Sequence, residues 1–99
     1  MKKIYISQPM RNLTHDEIMQ LREYAIDKAE AILGETVAAL PTYDETASTP
    51  LEALTKALMQ MPKADAVVFV PGYGMFRGCR IEQMMAAEYG MKCIYLKEP

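Results

Sequence analysis

Arginine side chains are concentrated in two short segments of this 99-residue chain. Arg11 lies in the segment 7–12, and Arg77 and Arg80 lie in or just after the segment 71–78. The lysines are scattered along the chain. A planar guanidinium beside a helix N-terminus suits a phosphate or carboxylate, because free backbone amides there already point outward. The alternative is that these arginines are solvated or pair with nearby acids. We expect Arg77 or Arg80 to hold an anionic ligand.

A second group of residues offers acid–base or nucleophilic chemistry. Glu82 follows Gly78 by about one turn of a predicted helix. A carboxylate there can act as a base, as a nucleophile or as a clamp on sugar hydroxyls. Alternatively, it only complements the helix dipole. Tyr5 and Tyr73 can line the same site, although a tyrosine on a strand more often belongs to the core or the sheet surface.

Other reactive residues form no recognisable site. Cys79 and Cys93 lack the close spacing of a zinc or redox motif, so we expect two reduced, largely buried thiols. Gly72 and Gly74 lack both the third glycine of a dinucleotide fingerprint and the lysine of a P-loop. His15 lies in the first turn of a predicted helix, where we expect a surface role. The sequence therefore predicts no metal site and no bound cofactor.

Composition and charge limit the class of protein. An apolar fraction of 51% in 99 residues allows one folded core but not a second domain. Eleven basic and thirteen acidic side chains give a net charge of −2, so no global field draws the chain to a nucleic-acid polymer or an anionic membrane. The apolar run at the N-terminus is too short for a signal sequence or a membrane span. We expect a cytoplasmic protein.

Strand patterns alternate with helix patterns along the whole chain. Thr14 and Glu17 have the spacing of a capping box, and Pro62 ends the second helical pattern. The run 65–70 is almost continuously apolar, which is typical of a strand buried on both faces of a parallel sheet. We predict strands at 2–7, 36–40, 65–70 and 92–96, and helices at 15–33, 50–61 and 78–89.

This alternation predicts one α/β domain over residues 1–99, with a parallel four-stranded sheet in the order 2-1-3-4. The winding direction then switches between strands one and three and opens a crevice at their carboxyl ends. The loops 7–12 and 71–78 border this crevice. From these loops and the start of the third helix we expect ligand contacts by Ser7, Gln8, Pro9, Met10, Arg11, Gly72, Tyr73, Arg77, Gly78 and Arg80.

Three blocks of sequence, in a fixed order, resemble a known family. They are Lys3-Ile-Tyr-Ile-Ser-Gln-Pro-Met10, then Ala64-Asp-Ala-Val-Val-Phe-Val-Pro-Gly72, then Gly78-Cys-Arg-Ile-Glu82 followed by Ala86-Ala-Glu-Tyr-Gly90. Together they resemble the nucleoside 2-deoxyribosyltransferase-like superfamily, most closely its short members found in phages and prophages. The likeness covers essentially the whole chain.

The resemblance implies a flavodoxin-like, Rossmann-like domain that acts on C1′ of a nucleoside or nucleoside monophosphate. The family's glutamate, which attacks C1′ or helps water to attack it, maps onto Glu82, and its strand tyrosine maps onto Tyr5. A carboxylate close to C1′ stabilises the oxocarbenium-like state before forming an ester or activating water. Family members complete their sites with residues of a partner, so the resemblance also implies a homodimer or larger homo-oligomer.

Two positions depart from the pattern of active nucleotide hydrolases in this family. Ala57 replaces an aspartate, and Phe76 replaces a phosphate-binding serine. The missing aspartate removes the obvious proton donor for the departing base, although Arg77 or Arg80 can replace the phosphate anchor. Two hypotheses follow: an N-glycosidase or deoxyribosyltransferase with Glu82 as nucleophile and Tyr5 orienting it, or a module that binds a nucleotide without catalysis. A domain that has lost the site and only mediates interactions is a third.

Overall fold

The four strands form one parallel sheet in which their order, numbered along the chain, is 2-1-3-4, as predicted. The computed structural model describes residues 1–98; Pro99, the last residue of the predicted domain, lies outside them. The strands are β1 (Lys2–Ser7), β2 (Val37–Ala39), β3 (Ala66–Phe69) and β4 (Cys93–Tyr95). The helices are α1 (His15–Leu33), α2 (Pro50–Leu58) and α3 (Arg77–Glu88).

Local sequence signals set the limits of α1. The Thr14 side chain accepts a hydrogen bond from the Glu17 amide, and the Glu17 carboxylate accepts one from the Thr14 amide, which completes the predicted capping box. Gly34 ends the helix in the left-handed region at φ 72°, where glycine has no steric penalty. The capping residues therefore fix the register of α1 on the sheet.

The second helix is shorter than predicted. It begins at Pro50, but ends at Leu58 rather than Met61, which belongs to a one-turn 3₁₀ helix at Met61–Lys63. Pro62 has no amide to donate, and its ring clashes with the carbonyl four residues earlier in a continuous α-helix. That carbonyl belongs to Leu58. The proline therefore ends the helix before its own position.

The sheet buries a different apolar cluster on each face. Ile4 and Ile6 of β1 pack with Ala25 and Ala29 of α1, whereas Tyr5 belongs to the cluster with Ala57 of α2 and Ala86 of α3. Side chains alternate along a strand, so consecutive residues of β1 serve opposite layers. The same alternation carries Ser7 and Gln8 to opposite sides of the strand end.

β3 is a fully buried central strand, as its apolar run predicts. All four of its residues are buried, and it lies between β1 and β4. Ser7 of β1 is paired in register with Phe69 of β3. The carboxyl ends of the two central strands therefore lie side by side. Within residues 1–98, no helix combines the length and apolar character needed to cross a bilayer.

Replacing Ile4 by alanine tests the packing of β1 against α1. Ile4 is 0% exposed, so Ile4→Ala should lower the free energy of unfolding by about 2–5 kcal/mol in urea denaturation. Ile32→Ala on α1 is the control, because Ile32 is 58% exposed and its loss should cost less than about 0.5 kcal/mol. Equal losses of unfolding free energy in the two variants would contradict the burial of Ile4 in the core between the sheet and α1.

Candidate functional site

A cavity of about 720 Å³ is lined by residues that follow the carboxyl ends of β1, β2 and β3. This volume lies within the range of small-molecule sites, and α/β sheets bind ligands outside the carboxyl ends of their strands. Both α1 and the opposite layer of α2 and α3 contribute to its walls. Predicted site residues that line it are Gln8, Pro9, Met10, Arg11, Arg77, Gly78, Arg80 and Glu82.

The Glu82 carboxyl group lies at the wall of this cavity and is held by two hydroxyl groups of β1. Ser7 Oγ donates to Glu82 Oε1 at 2.7 Å, and the Tyr5 hydroxyl donates to Glu82 Oε2. Glu82 is only 6% exposed, and both β1 side chains are fully buried. Tyr5 and Ser7 thus lie behind the carboxyl group rather than on the cavity surface. The structure brings together the two residues assigned to catalysis, with Ser7 as a third partner.

Burial and hydrogen bonding act in opposite directions on the charge of Glu82. Burial is the larger effect and raises the pKa of Glu82, whereas the bonds from Tyr5 and Ser7 favour the ionised form and lower it. Burial, followed by the adjacent Glu82, raises the pKa of Tyr5. Tyr5 therefore keeps its proton and remains a donor. The arrangement can present a carboxylate whose two oxygens are fixed in position.

The arginines differ in their contacts. Arg80 donates from one guanidinium nitrogen to the carbonyl of Gly74 at 3.1 Å, which braces the one-turn 3₁₀ helix Tyr73–Met75. Arg11 and Arg77 are exposed at the cavity, and none of the ion pairs found among residues 1–98 involves an arginine. Arg77 also stands at the first position of α3. It is therefore better placed than Arg80 to bind an anion.

Gly72 and Tyr73, like Ser7, were predicted to contact the ligand but do not line the cavity. Gly72 adopts φ 78°, which turns the chain after β3. The ring of Tyr73 packs against Phe69 and Tyr95, with centroids 5.0 and 5.5 Å away. Membership of the loop 71–78 was the only basis for predicting the contacts of Gly72 and Tyr73. The aromatic partners of Tyr73 instead direct its ring toward β3 and β4.

Sequence reasoning missed the contribution of the segment between β2 and α2. Thr42 and Asp44 of this segment line the cavity. They follow the carboxyl end of a parallel strand, so the rule that located the other two loops also applies to this one. Hydrogen bonds from Thr46 and then Lys56 lower the pKa of Asp44 to about 2. Asp44 is therefore an acceptor at neutral pH and not a proton donor.

Arg22 is a second residue that sequence reasoning missed. It is 8% exposed and donates hydrogen bonds to Gln8, Thr42 and the carbonyl of Leu40. Its position within the apolar stripe of α1, between Ile18 and Ala25, was the available signal, because a charged residue at such a position must find partners. Arg22 supports the cavity wall from behind.

The two cysteines are unpaired, and one of them lines the cavity. Cys79 is buried and lines the cavity, and burial raises the pKa of its thiol to about 11, so it stays protonated at neutral pH. Cys93 is half-buried and unpaired with Cys79. Ala57 and Phe76, the two departures from the active pattern, both line the cavity. Among residues 1–98, no three His, Cys, Asp or Glu side chains are grouped to hold a metal.

Comparison with protein-family models, curated proteins and solved structures found no match to this chain.

The raised pKa of Glu82 predicts how stability depends on pH. Below its ordinary value of 4.5 the carboxyl group is protonated in both states. As pH rises through the folded-state pKa, the unfolded chain releases its proton first, so the folded state loses stability. Glu82→Gln removes this loss. The free energy of unfolding of the variant relative to the parent should increase above about pH 4.5 and then level off.

Urea denaturation of both proteins over this pH range measures the difference. Glu88→Gln, at an exposed position of the same helix, controls for the loss of one carboxyl group from α3. A difference between Glu82→Gln and the parent that stays constant with pH would contradict the direction of the pKa shift.

Proposed function

We propose that the protein cleaves the N-glycosidic bond of a nucleoside or nucleoside monophosphate, with Glu82 as the nucleophile at C1′. The observation that carries this proposal is the Glu82 carboxyl group at the cavity wall, with one oxygen bonded to Tyr5 and the other to Ser7. Two fixed oxygens hold the nucleophile in one orientation, which is the main requirement for attack on a bound substrate. Deoxyribosyl transfer to a second base is a variant of the same chemistry.

The reaction follows from a carboxylate placed against an anomeric carbon. A Glu82 oxygen forms a bond to C1′ while the C1′–N bond breaks. The electron pair of the C1′–N bond leaves with the base. Water then attacks the resulting ester and releases the sugar, or a second base attacks it and is glycosylated. The carboxylate also stabilises the positive charge that develops on the sugar in the oxocarbenium-like transition state. Tyr5 and Ser7 orient Glu82 and do not themselves bond to the reacting atoms.

The start of α3 supports binding of a 5′-phosphate. The residue preceding the helix, Phe76, provides no side-chain cap, so the first amides of α3 have no capping acceptor from it. Arg77, Gly78 and Cys79 of this first turn line the cavity. The free amides at the start of α3, the helix dipole and the guanidinium group of Arg77 all favour a negatively charged ligand. A nucleoside monophosphate therefore fits the site better than a nucleoside alone.

A second candidate function is nucleotide binding without catalysis. Two acidic side chains line the cavity among residues 1–98, Asp44 and Glu82, and the pKa of Asp44 lies far below neutral pH. Among residues 1–98, the cavity wall thus offers no second carboxylic acid to protonate a departing base, and such assistance contributes about 10²- to 10⁴-fold to a rate. This observation favours a sensing or sequestering module.

Substituting Glu82 by glutamine distinguishes the two functions. The glutamine side chain keeps the shape and can still pair with Tyr5 and Ser7, but it cannot attack C1′. Base release from deoxynucleoside 5′-monophosphates should fall by at least about a thousandfold, as expected for loss of a nucleophile, while binding persists. Chromatography of the free base measures the rate, and Glu88→Gln is the matched control.

Equal base release by the parent and Glu82→Gln would show that Glu82 is not the nucleophile. Thermal stabilisation of the parent by a nucleotide with no base release would instead establish the binding function.

Removing the Arg77 side chain tests the anion subsite. Charge-assisted hydrogen bonds contribute about 1.5–3 kcal/mol, and the exposure of Arg77 favours the lower limit, so Arg77→Ala should weaken nucleotide binding roughly tenfold. Binding of the corresponding nucleoside should change little, and added salt should reduce the difference. If Arg77→Ala leaves nucleotide affinity unchanged, the phosphate binds elsewhere.

A further inference from the structure

Gln8 is a buried amide at the wall of the cavity, on the side opposite Glu82. It is 5% exposed and lines the cavity directly after Ser7, whose hydroxyl binds Glu82. Alternation along β1 sends these two neighbours to opposite faces, so Gln8 lies toward α1 and Glu82 belongs to α3. The proposed mechanism does not use Gln8.

The contacts of Gln8 fix which end of its amide is oxygen. Gln8 Nε2 donates to the carbonyl of Ile18 at 3.0 Å, and Gln8 Oε1 accepts from a guanidinium nitrogen of Arg22 at 3.1 Å. A guanidinium has no acceptor and a carbonyl has no donor, so the reversed amide would lose both bonds. After these bonds, the amide retains one N–H and one oxygen lone pair. Gln8 is therefore oriented without a ligand.

Arg22 is unusual because it is a buried cation without an anionic partner among residues 1–98. It also donates to Thr42 Oγ1 at 3.0 Å and to the carbonyl of Leu40 at 2.9 Å. Burial of a charge is unfavourable unless surrounding dipoles compensate for it. The amide oxygen of Gln8 is one of those dipoles, so turning it away would leave the cation less well solvated. The charge-assisted hydrogen bond from Arg22 thus holds the Gln8 amide in this orientation.

We propose that Gln8 reads the edge of the nucleobase through its remaining N–H and lone pair, with Arg22 as the positioning residue. This inference rests on the proposed function and assigns the base to the α1 side of the cavity. Adjacent donors and acceptors on base edges are the groups that a glutamine amide pairs with. The phosphate is directed to the start of α3 by Arg77, and C1′ lies at Glu82. The base then extends across the end of β1 to Gln8.

The test compares ligands with and without a base. Dissociation constants are measured by calorimetry for the four deoxynucleoside 5′-monophosphates and for 2-deoxyribose 5-phosphate. All proteins carry Glu82→Gln, so the ligands are not consumed. The base contribution is the ratio of the dissociation constant of 2-deoxyribose 5-phosphate to that of the tightest nucleotide. If the Gln8 amide forms two hydrogen bonds with the base, this contact should contribute a factor of roughly 5 to 150 to that ratio.

Two substitutions at Gln8 remove the contact in different ways. Gln8→Met has a similar length and no polar group, whereas Gln8→Glu keeps an acceptor for Arg22 but loses the donor to the Ile18 carbonyl. Both should lower the base contribution at least about fivefold. In Gln8→Met the affinity for 2-deoxyribose 5-phosphate should change by less than about twofold. Gln20→Met and Gln20→Glu, at an exposed position of α1, are the matched controls and should preserve the ratio.

Arg22→Lys tests the positioning role separately. Lysine keeps the charge but cannot reproduce the fork that holds Gln8, Thr42 and Leu40. The base contribution should fall while 2-deoxyribose 5-phosphate still binds. A purely structural role of Arg22 would weaken both kinds of ligand equally, and that result would overturn the assignment.

The outcomes separate this inference from the proposed function. An unchanged base contribution in both Gln8 variants, or an equal loss for the sugar phosphate, overturns base reading even if the parent releases free base. A reduced base contribution with no base release by the parent supports base reading and refutes catalysis. If no deoxynucleotide binds, both are refuted.

Discussion

The contact between Glu82 and the hydroxyl groups of β1 is the constraint on which the site depends. It joins the first turns of α3 to the end of the central strand, and all three side chains are buried. Loss of either hydroxyl leaves a buried carboxyl oxygen without its donor, which is costly in a low dielectric. An apolar residue at position 82 would in turn leave the buried Tyr5 and Ser7 hydroxyl groups without their acceptor. In the proposed function, the carboxyl group at this depth is the nucleophile.

The alternation of β1 divides the site between two layers. Tyr5 and Ser7 meet α3, whereas Gln8 meets Arg22 of α1. One strand end thus positions a carboxyl group on one side and an oriented amide on the other. Residues of α1, α2 and α3 all line the cavity, which therefore connects both layers. Sheet order and strand periodicity together produce the arrangement.

The sequence predicted the elements because their hydrophobic periods and caps are local signals. The sheet order followed from βαβ connections, and it placed the loops after β1 and β3 at one edge. Resemblance supplied the roles of Glu82 and Tyr5, and the structure brings these side chains together. Two features were beyond reach, the inward packing of Tyr73 against Tyr95 and the contacts of Arg22, because both depend on side chains distant in sequence. The end of α2 was predicted too late although its signal is local, because the ring of Pro62 clashes with the carbonyl one turn earlier.

The most direct test of the account is to look for the covalent bond to Glu82. A deoxynucleoside 5′-monophosphate is mixed with the protein, the reaction is stopped with acid within one turnover, and the digested protein is analysed by mass spectrometry. The account predicts a deoxyribose phosphate ester on the peptide that contains Glu82, and none on Glu82→Gln. Release of free base with the Glu82 peptide unmodified at every time point would contradict a nucleophilic role for this carboxylate.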